Sequence, residues 1–513
     1  MPPGNWWAVP TLLGSNLPDM SPTSTLLQNT LLLAAATCAV SVPLGVCLAW
    51  LLQRTDLPGR QAGKRLLTLL LFVPLYLQVA AWQAGFGLQG WHTLARAETP
   101  WLDGWTGAIW IHAMAAVPWV VLIVGAAFRL VEPELEEQAL LDGSPRQVFF
   151  RVTLPAVGPA IAAATLWVAV TTAGEMTVTD LLGIRTYAEE VYTQIAIGQG
   201  PRAASLGLVP GIAGVATILT LGMIFAARLS PWGRPWTARP CRIFPTGRWR
   251  LPLALVAAAM VLILAGVPLG NLLAKAGVLV EQTATGRERT WSAAKCLTMV
   301  ASAPWRCPRE IGWSLLIGGL SATAAVAAAF PLAWLARRGH WRAVPAMLTA
   351  AICLAVPGPL VGLAIIGLLD RPELPPLVYL YDHSILAPWL ALTIRSLPAA
   401  ILVLGHALRT LPQDMLDNAA IDGAGPIALI MRIALPERRA AIALAWLVAL
   451  AVALADLATS ILVVPPGVTT LSIHVFGLLH YGVEDRVAGI CLAMVALFAF
   501  VAAAAGWLAD RSP

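Results

Sequence analysis

Charge is what this sequence has least of. Asp, Glu, Lys and Arg together make up 12% of its 513 residues, where a soluble domain carries about 25%. Hydrophobic residues make up 58%, and the mean hydropathy is +0.75. One water-soluble globule is thereby excluded, because it could not hide that much apolar surface. Also missing is any G-x-x-x-x-G-K-[ST] segment, so no built-in ATPase is expected. No H-E-x-x-H and no Cys/His set with zinc spacing occurs, so no catalytic residue, metal or cofactor is expected either. The first 25 residues contain neither Lys nor Arg, which leaves out the basic region of a cleavable signal peptide.

Long apolar runs are abundant. A spanning helix needs roughly 20 apolar residues, and eleven candidates fit: about 26–52, 66–88, 107–129, 156–174, 205–228, 251–273, 311–336, 344–369, 386–408, 440–463 and 487–510. The expectation is an all-α polytopic membrane protein in a lipid bilayer. The net charge of +6 is not a nucleic-acid footprint, because the basic residues gather in alternate loops. Arg54, Arg60, Lys64 and Arg65 share one such loop, Arg146 and Arg151 the next, then Arg234 to Arg250, Arg337 to Arg342, and Arg432 to Arg439. Placing these inside puts the N-terminus outside and the C-terminus in the cytoplasm. Trp6 and Trp7 then read as an interfacial anchor.

The chain repeats itself. "EQALLDGSPRQVFFRVTLP", Glu137 to Pro155, returns as "DNAAIDGAGPIALIMRIALP", Asp417 to Pro436. Gly143 and Gly423 stand 280 positions apart, as do Glu137 and Asp417, Ala139 and Ala419, and Pro118 and Pro398. Both copies fall inside, so the halves are parallel repeats. The organisation read from this is an outer segment 1–25, a first unit 26–228 with loop 131–155, a linker 229–250, and a second unit 251–510 with loop 410–436. In each copy the acid should open a short helix, small residues should allow close approach, and Asp-Gly should turn the chain. The closing Leu-Pro, Leu154-Pro155 and Leu435-Pro436, should end the second short helix and start the next span. A helix–turn–helix lying flat on the cytoplasmic face is suited to docking a partner.

These residues resemble the Glu-Ala-Ala loop of binding-protein-dependent ABC importer permeases. Copy two follows the family pattern, with nine residues from Gly423 to Ile433, although Asp417-Asn418 replaces Glu-Ala. Copy one has Gln138 for an alanine and is one residue shorter. The two-in-one arrangement, with 174–198 and 456–489, is similar to the fused permeases of the ferric iron importer branch, close to thiamine and polyamine importers. The resemblance implies a type I importer-like fold in a bacterial inner membrane. It implies two ABC ATPase subunits docked on the loops and a periplasmic substrate-binding protein. Glu137, Ala139, Gly143, Leu154, Pro155, Asp417, Ala419, Gly423, Leu435 and Pro436 would carry the coupling. The first unit reads as five spans where the family has six, since "NWWAVPTLLG" is too short to cross.

Ionisable groups inside spans are costly and need a partner or a wet surface. Glu175 and Asp456 each lie 20 residues past the Leu-Pro of their half. They either line the substrate path or are neutralised structurally, and Arg395, well inside a span, is the natural partner for Asp456. An ion-coupled secondary carrier using the two acids as ion sites is the alternative of another class. Cys296 and Cys307 share the outer loop 274–310, where a disulfide and two free thiols are both compatible with the sequence.

Overall fold

The computed structural model describes residues 22–96, 99–197, 216, 242–283 and 286–509. Among these, seven helices are long and apolar enough to cross a membrane, and three sharply bent helix pairs raise the number to ten. The candidate span at 205–228 apart from Ala216, residues 1–21, Cys241 and most of the linker lie outside the described residues. A two-stranded antiparallel hairpin, Val278–Thr283 with Gly286–Trp291, interrupts the helices in the loop 274–310.

Small residues hold the long helices together. In lipid there is little hydrophobic drive between helices, so close van der Waals approach of small side chains decides their association. In the first half Pro22–Arg54 lies against Gly104–Leu130, and a Cβ added at Gly45 would fall 2.5 Å from the Val120 side chain. In the second half Ala325, Ala329 and Ala333 form one stripe along Pro308–Ala336. Their spacing of four keeps them on one face, where they share a core with Ala400, Ile401 and Leu404 of Leu386–Arg409.

Two expected spans are broken instead of straight. The run read as 66–88 is Arg60–Leu70 and Leu75–Arg96, bent by 107°, and the run read as 344–369 is Trp341–Ala355 and Gly358–Leu369, bent by 102°. The cause is a proline at matching places. Pro74 and Pro357 cap the second helices at φ −58°, ψ 151° and φ −54°, ψ 146°. Proline lacks the N–H a continuing helix needs and pushes its predecessor out of the helical region. The run read as 440–463 also stops early. Its helix is Arg439–Ala455, and a short turn, Ser460–Leu462, follows.

The halves share a core. Tyr76, Leu77 and Met176 of the first half pack in one buried cluster with Leu272, Val475, Phe476 and Phe498 of the second. The helical stretch Gly247–Gly277, which opens the second half, leans on the first through Ala257 and Leu264. Cys296 and Cys307 are buried free thiols. Helix Ala293–Arg306 separates them. At about 1.5 Å of rise per residue it holds them well beyond the roughly 7 Å between Cα atoms that a disulfide can bridge.

Candidate functional site

Each half carries a helix–turn–helix between two long helices, at the place where the sequence predicts a docking loop. The first helices, Pro133–Asp142 and Gln413–Ile421, begin four residues before the acids expected to open them. Glu134, Glu136 and Asp414 occupy the first turns instead, near the positive helix ends. Glu137 is exposed and ion-paired to Arg242 at 3.0 Å, and Asp417 accepts a hydrogen bond from Gln413 at 2.7 Å. Ala139 and Ala419 are half-buried.

The two turns differ. Gly423 is left-handed at φ +85°, and the Ala424 N–H returns to the Ala419 carbonyl at 2.9 Å. Gly143 is extended at φ −150°, ψ 163°, and the following helix is fastened by a capping box between Ser144 and Gln147. The Leu-Pro pairs also act otherwise than expected. Leu154-Pro155 lies inside one continuous helical stretch, Pro145–Ala173. The reason is a π-helical turn before each pair, Phe149–Thr153 and Leu429–Ala434. There the Leu154 N–H reaches Phe149 O and the Leu435 N–H reaches Ile430 O, five residues back. The one-residue change of register accommodates the missing proline donor. In the second half the helix breaks two residues after Pro436, at Arg438, with a bend of 76°. Pro155 and Pro436 are exposed, while Leu154 and Leu435 are half-buried.

The seats beneath the docking helices also differ. Glu136 is fully buried, ion-paired with the fully buried Arg54, and accepts from Thr153 Oγ1 at 2.6 Å. Arg54 also donates to the Phe128 carbonyl at 2.7 Å. The position matching Glu136 in the second half is Leu416, seated with Leu411, Ala434 and Trp334. Sequence reasoning passed over Glu136. Its signal was the apolar residue at the matching position, which marks an inward face where an acid needs a partner.

The candidate path acids are held in equivalent ways. Glu175 accepts from the Thr177 and Val178 N–H groups at 2.7 and 2.9 Å, and Asp456 from the Thr459 N–H at 3.0 Å and its hydroxyl at 3.1 Å. Each thus ties down the turn that follows it with a side-chain to backbone hydrogen bond. Each also faces a basic side chain on the long helix before the helix–turn–helix, Gly104–Leu130 or Leu386–Arg409. His112 Nε2 lies 3.4 Å from Glu175 Oε2, and Arg395 Nε lies 3.1 Å from Asp456 Oδ2. Arg395 additionally donates to the Val356 carbonyl at 3.1 Å, just before Pro357. His112, buried in a span, had gone unnoticed in the sequence. At the opposite end from the docking loops, His480 of the second half meets Asp180 of the first at 2.9 Å. Among the described residues, no three His, Cys, Asp or Glu side chains gather as a metal site.

Comparison with known proteins places these features. The family model for "binding-protein-dependent transport system inner membrane component" matches residues 41–234. The molybdenum transport system permease protein ModB of Escherichia coli K12 is 31% identical over 205 residues, 37% of this chain and 87% of that protein. The putrescine transport system permease protein PotI of the same strain is 31% identical over 200 residues, 37% of this chain and 70% of that protein. The Fe(3+)-transport system permease protein FbpB 2 of Haemophilus influenzae is 27% identical over 202 residues, 39% of this chain and 37% of that protein. With its spanning helices and its two matching helix–turn–helix loops, the chain belongs to the binding-protein-dependent ABC importer permeases, multi-pass proteins of the inner membrane.

Proposed function

We propose that this chain carries solute inward across the membrane, with a separate ATPase subunit docked beneath each helix–turn–helix loop and a binding protein delivering solute to the opposite face. The observation that carries the reading is a pair of exposed apolar patches on otherwise polar loops. Leu141 is 86% exposed on the first loop, and Ile421 and Ile427 are 83% and 77% exposed on the second. Large apolar side chains held in water at matching places fit a partner's groove. The loops and the C-terminus then face the cytoplasm, where the basic residues gather. ATP-driven closure of the ATPase pair would rock the halves between outward-open and inward-open states. An ion-coupled carrier is disfavoured, because Glu175 and Asp456 are both engaged by capped N–H groups and a base.

We assign ferric iron as the solute, on the two-unit resemblance and the similarity to FbpB 2. The similarity to ModB, over most of that protein, supports molybdate as the second reading. Affinity-tagged permease should retain its ATPase subunits through detergent extraction, and Leu141→Asp with Ile421→Asp should release them. Full retention by the double variant would sink the docking reading. Uptake of radiolabelled ferric citrate, molybdate and putrescine by cells carrying and lacking the chain decides the solute. Iron uptake unchanged by its loss would overturn the assignment.

A further inference from the structure

The link between the halves does more than join them. From residue 242 the described chain crosses the end of the first long helix, Pro22–Arg54. The Phe244 N–H bonds to the Arg54 carbonyl at 2.8 Å, and Phe244 forms an isolated parallel bridge with Thr55. Its ring is buried, with the Arg54 guanidinium 5.6 Å from its centre. Thr246 donates its N–H and hydroxyl to Asp56 Oδ1 at 2.9 and 2.6 Å, and Arg250 donates to the Asp56 carbonyl at 3.1 Å. On the other side, Arg242 reaches Glu137 on the docking helix itself. Arg54 is the centre of this assembly. The same guanidinium holds the docking helix through Glu136 and the end of the preceding span through the Phe128 carbonyl. The second docking helix has a different seat, the apolar one around Leu416.

We propose that residues 242–250 are a strap that positions the first docking helix, so that the link between the halves belongs to the ATPase-docking machinery of the first half alone. Phe244 and Arg242 are positioning residues. They act through Arg54, Glu136 and Glu137, and brace a helix whose own turn at Gly143 is extended. A buried ring and paired polar contacts on both sides restrict the helix's tilt more than a flexible tether could. The inference rests on the docking reading of the two loops.

The test uses the assembled complex of permease and ATPase subunits in proteoliposomes, with Cys47→Ser and Cys241→Ser to limit background labelling. Benzophenone maleimide is attached at Leu141→Cys on the first loop or at Ile421→Cys on the second, and photo-crosslinking to the ATPase is measured. With the strap intact, both sites should crosslink. Arg242→Glu and Phe244→Ala should each cause a several-fold loss at position 141 and leave position 421 unchanged. A lesion that merely destabilised the protein would lower both sites together, and that result would overturn the strap. So would undiminished crosslinking at 141. If neither site crosslinks with the strap intact, the docking reading itself fails and the strap falls with it. Should Phe244→Ala fail to fold, Arg242→Glu at a solvent-accessible ion pair decides the matter alone.

Discussion

Arg395 and Asp456 stand 61 positions apart in the chain and meet at 3.1 Å, the guanidinium of one long helix against the carboxylate just past the end of another. The same arginine donates to the carbonyl before Pro357, and the same aspartate caps the turn that follows it. One ion pair therefore ties together a long helix, a bent pair and the exit of the helix after the docking loop. His112 and Glu175 form the corresponding contact in the first half, with an imidazole ring in place of the guanidinium.

Breaking the Arg395–Asp456 pair should cost folded protein. Removing one partner of a buried pair typically costs about 3–5 kcal/mol. The low end of that range is expected here, since the Arg395 side chain is 27% exposed. Asp456→Asn and Arg395→Gln should each lower the detergent-extracted yield and the melting temperature, and the double variant should recover much of the loss. Additive losses in the double variant would refute the coupling.

The two docking glycines should respond differently to a methyl group. A left-handed conformation costs a non-glycine residue about 1–2 kcal/mol. Gly423 is left-handed, whereas Gly143 is extended. Gly423→Ala should lower the ATPase stimulation of the complex, and Gly423→Pro should abolish it. Gly143→Ala should have the smaller effect, since its new Cβ, 3.2 Å from Gln147 Oε1, asks only that this side-chain end shift by a few tenths of an ångström. Equal effects at the two positions would contradict the difference between the turns.

The buried pair beneath the first docking helix should be replaceable but not divisible. Glu136→Gln strands Arg54 with no carboxylate, at a cost of about 3–5 kcal/mol. Arg54→Met with Glu136→Leu transplants the apolar solution that the second half uses at Leu416, and should restore much of the stability. Thermal unfolding of the single and double variants separates these outcomes. A double variant no better than the single would show that the arginine's other contacts dominate.

The contact between His480 and Asp180 should make this junction of the halves sensitive to pH. Both ring nitrogens face acceptors, the Asp180 carboxylate and the Phe476 carbonyl, an arrangement that only the doubly protonated ring satisfies. Asp180 raises the histidine's pKa above its ordinary value, burial opposes it, and the Phe476 carbonyl adds to the rise. A raised pKa means the stabilisation is complete below the ordinary histidine value of about 6.5 and is lost as pH rises through the folded value. The melting temperature should therefore fall over that window, and His480→Gln should flatten the fall. An unchanged pH profile in the variant would assign the dependence to another group.

The sequence by itself determined the environment, the repeat and the family. Scarce charge and long apolar runs require lipid, and two loops 280 positions apart declare two related halves. These properties are local or periodic, so a linear pattern records them. The bends at Pro74 and Pro357 were also written there, in the prolines, although hydropathy alone runs through them. Only the tertiary structure decided that these distant ionisable groups meet. Arg54 and Glu136 are 82 positions apart, and His480 and Asp180 are 300 apart. Helix packing brings such pairs together, and a sequence names the partner only where a span offers a single candidate, as it offered Arg395 for Asp456. The different turns at Gly143 and Gly423 have the same origin. Both follow an Asp, but the Ser144–Gln147 capping box holds one extended, and the return of Ala424 to Ala419 turns the other left-handed.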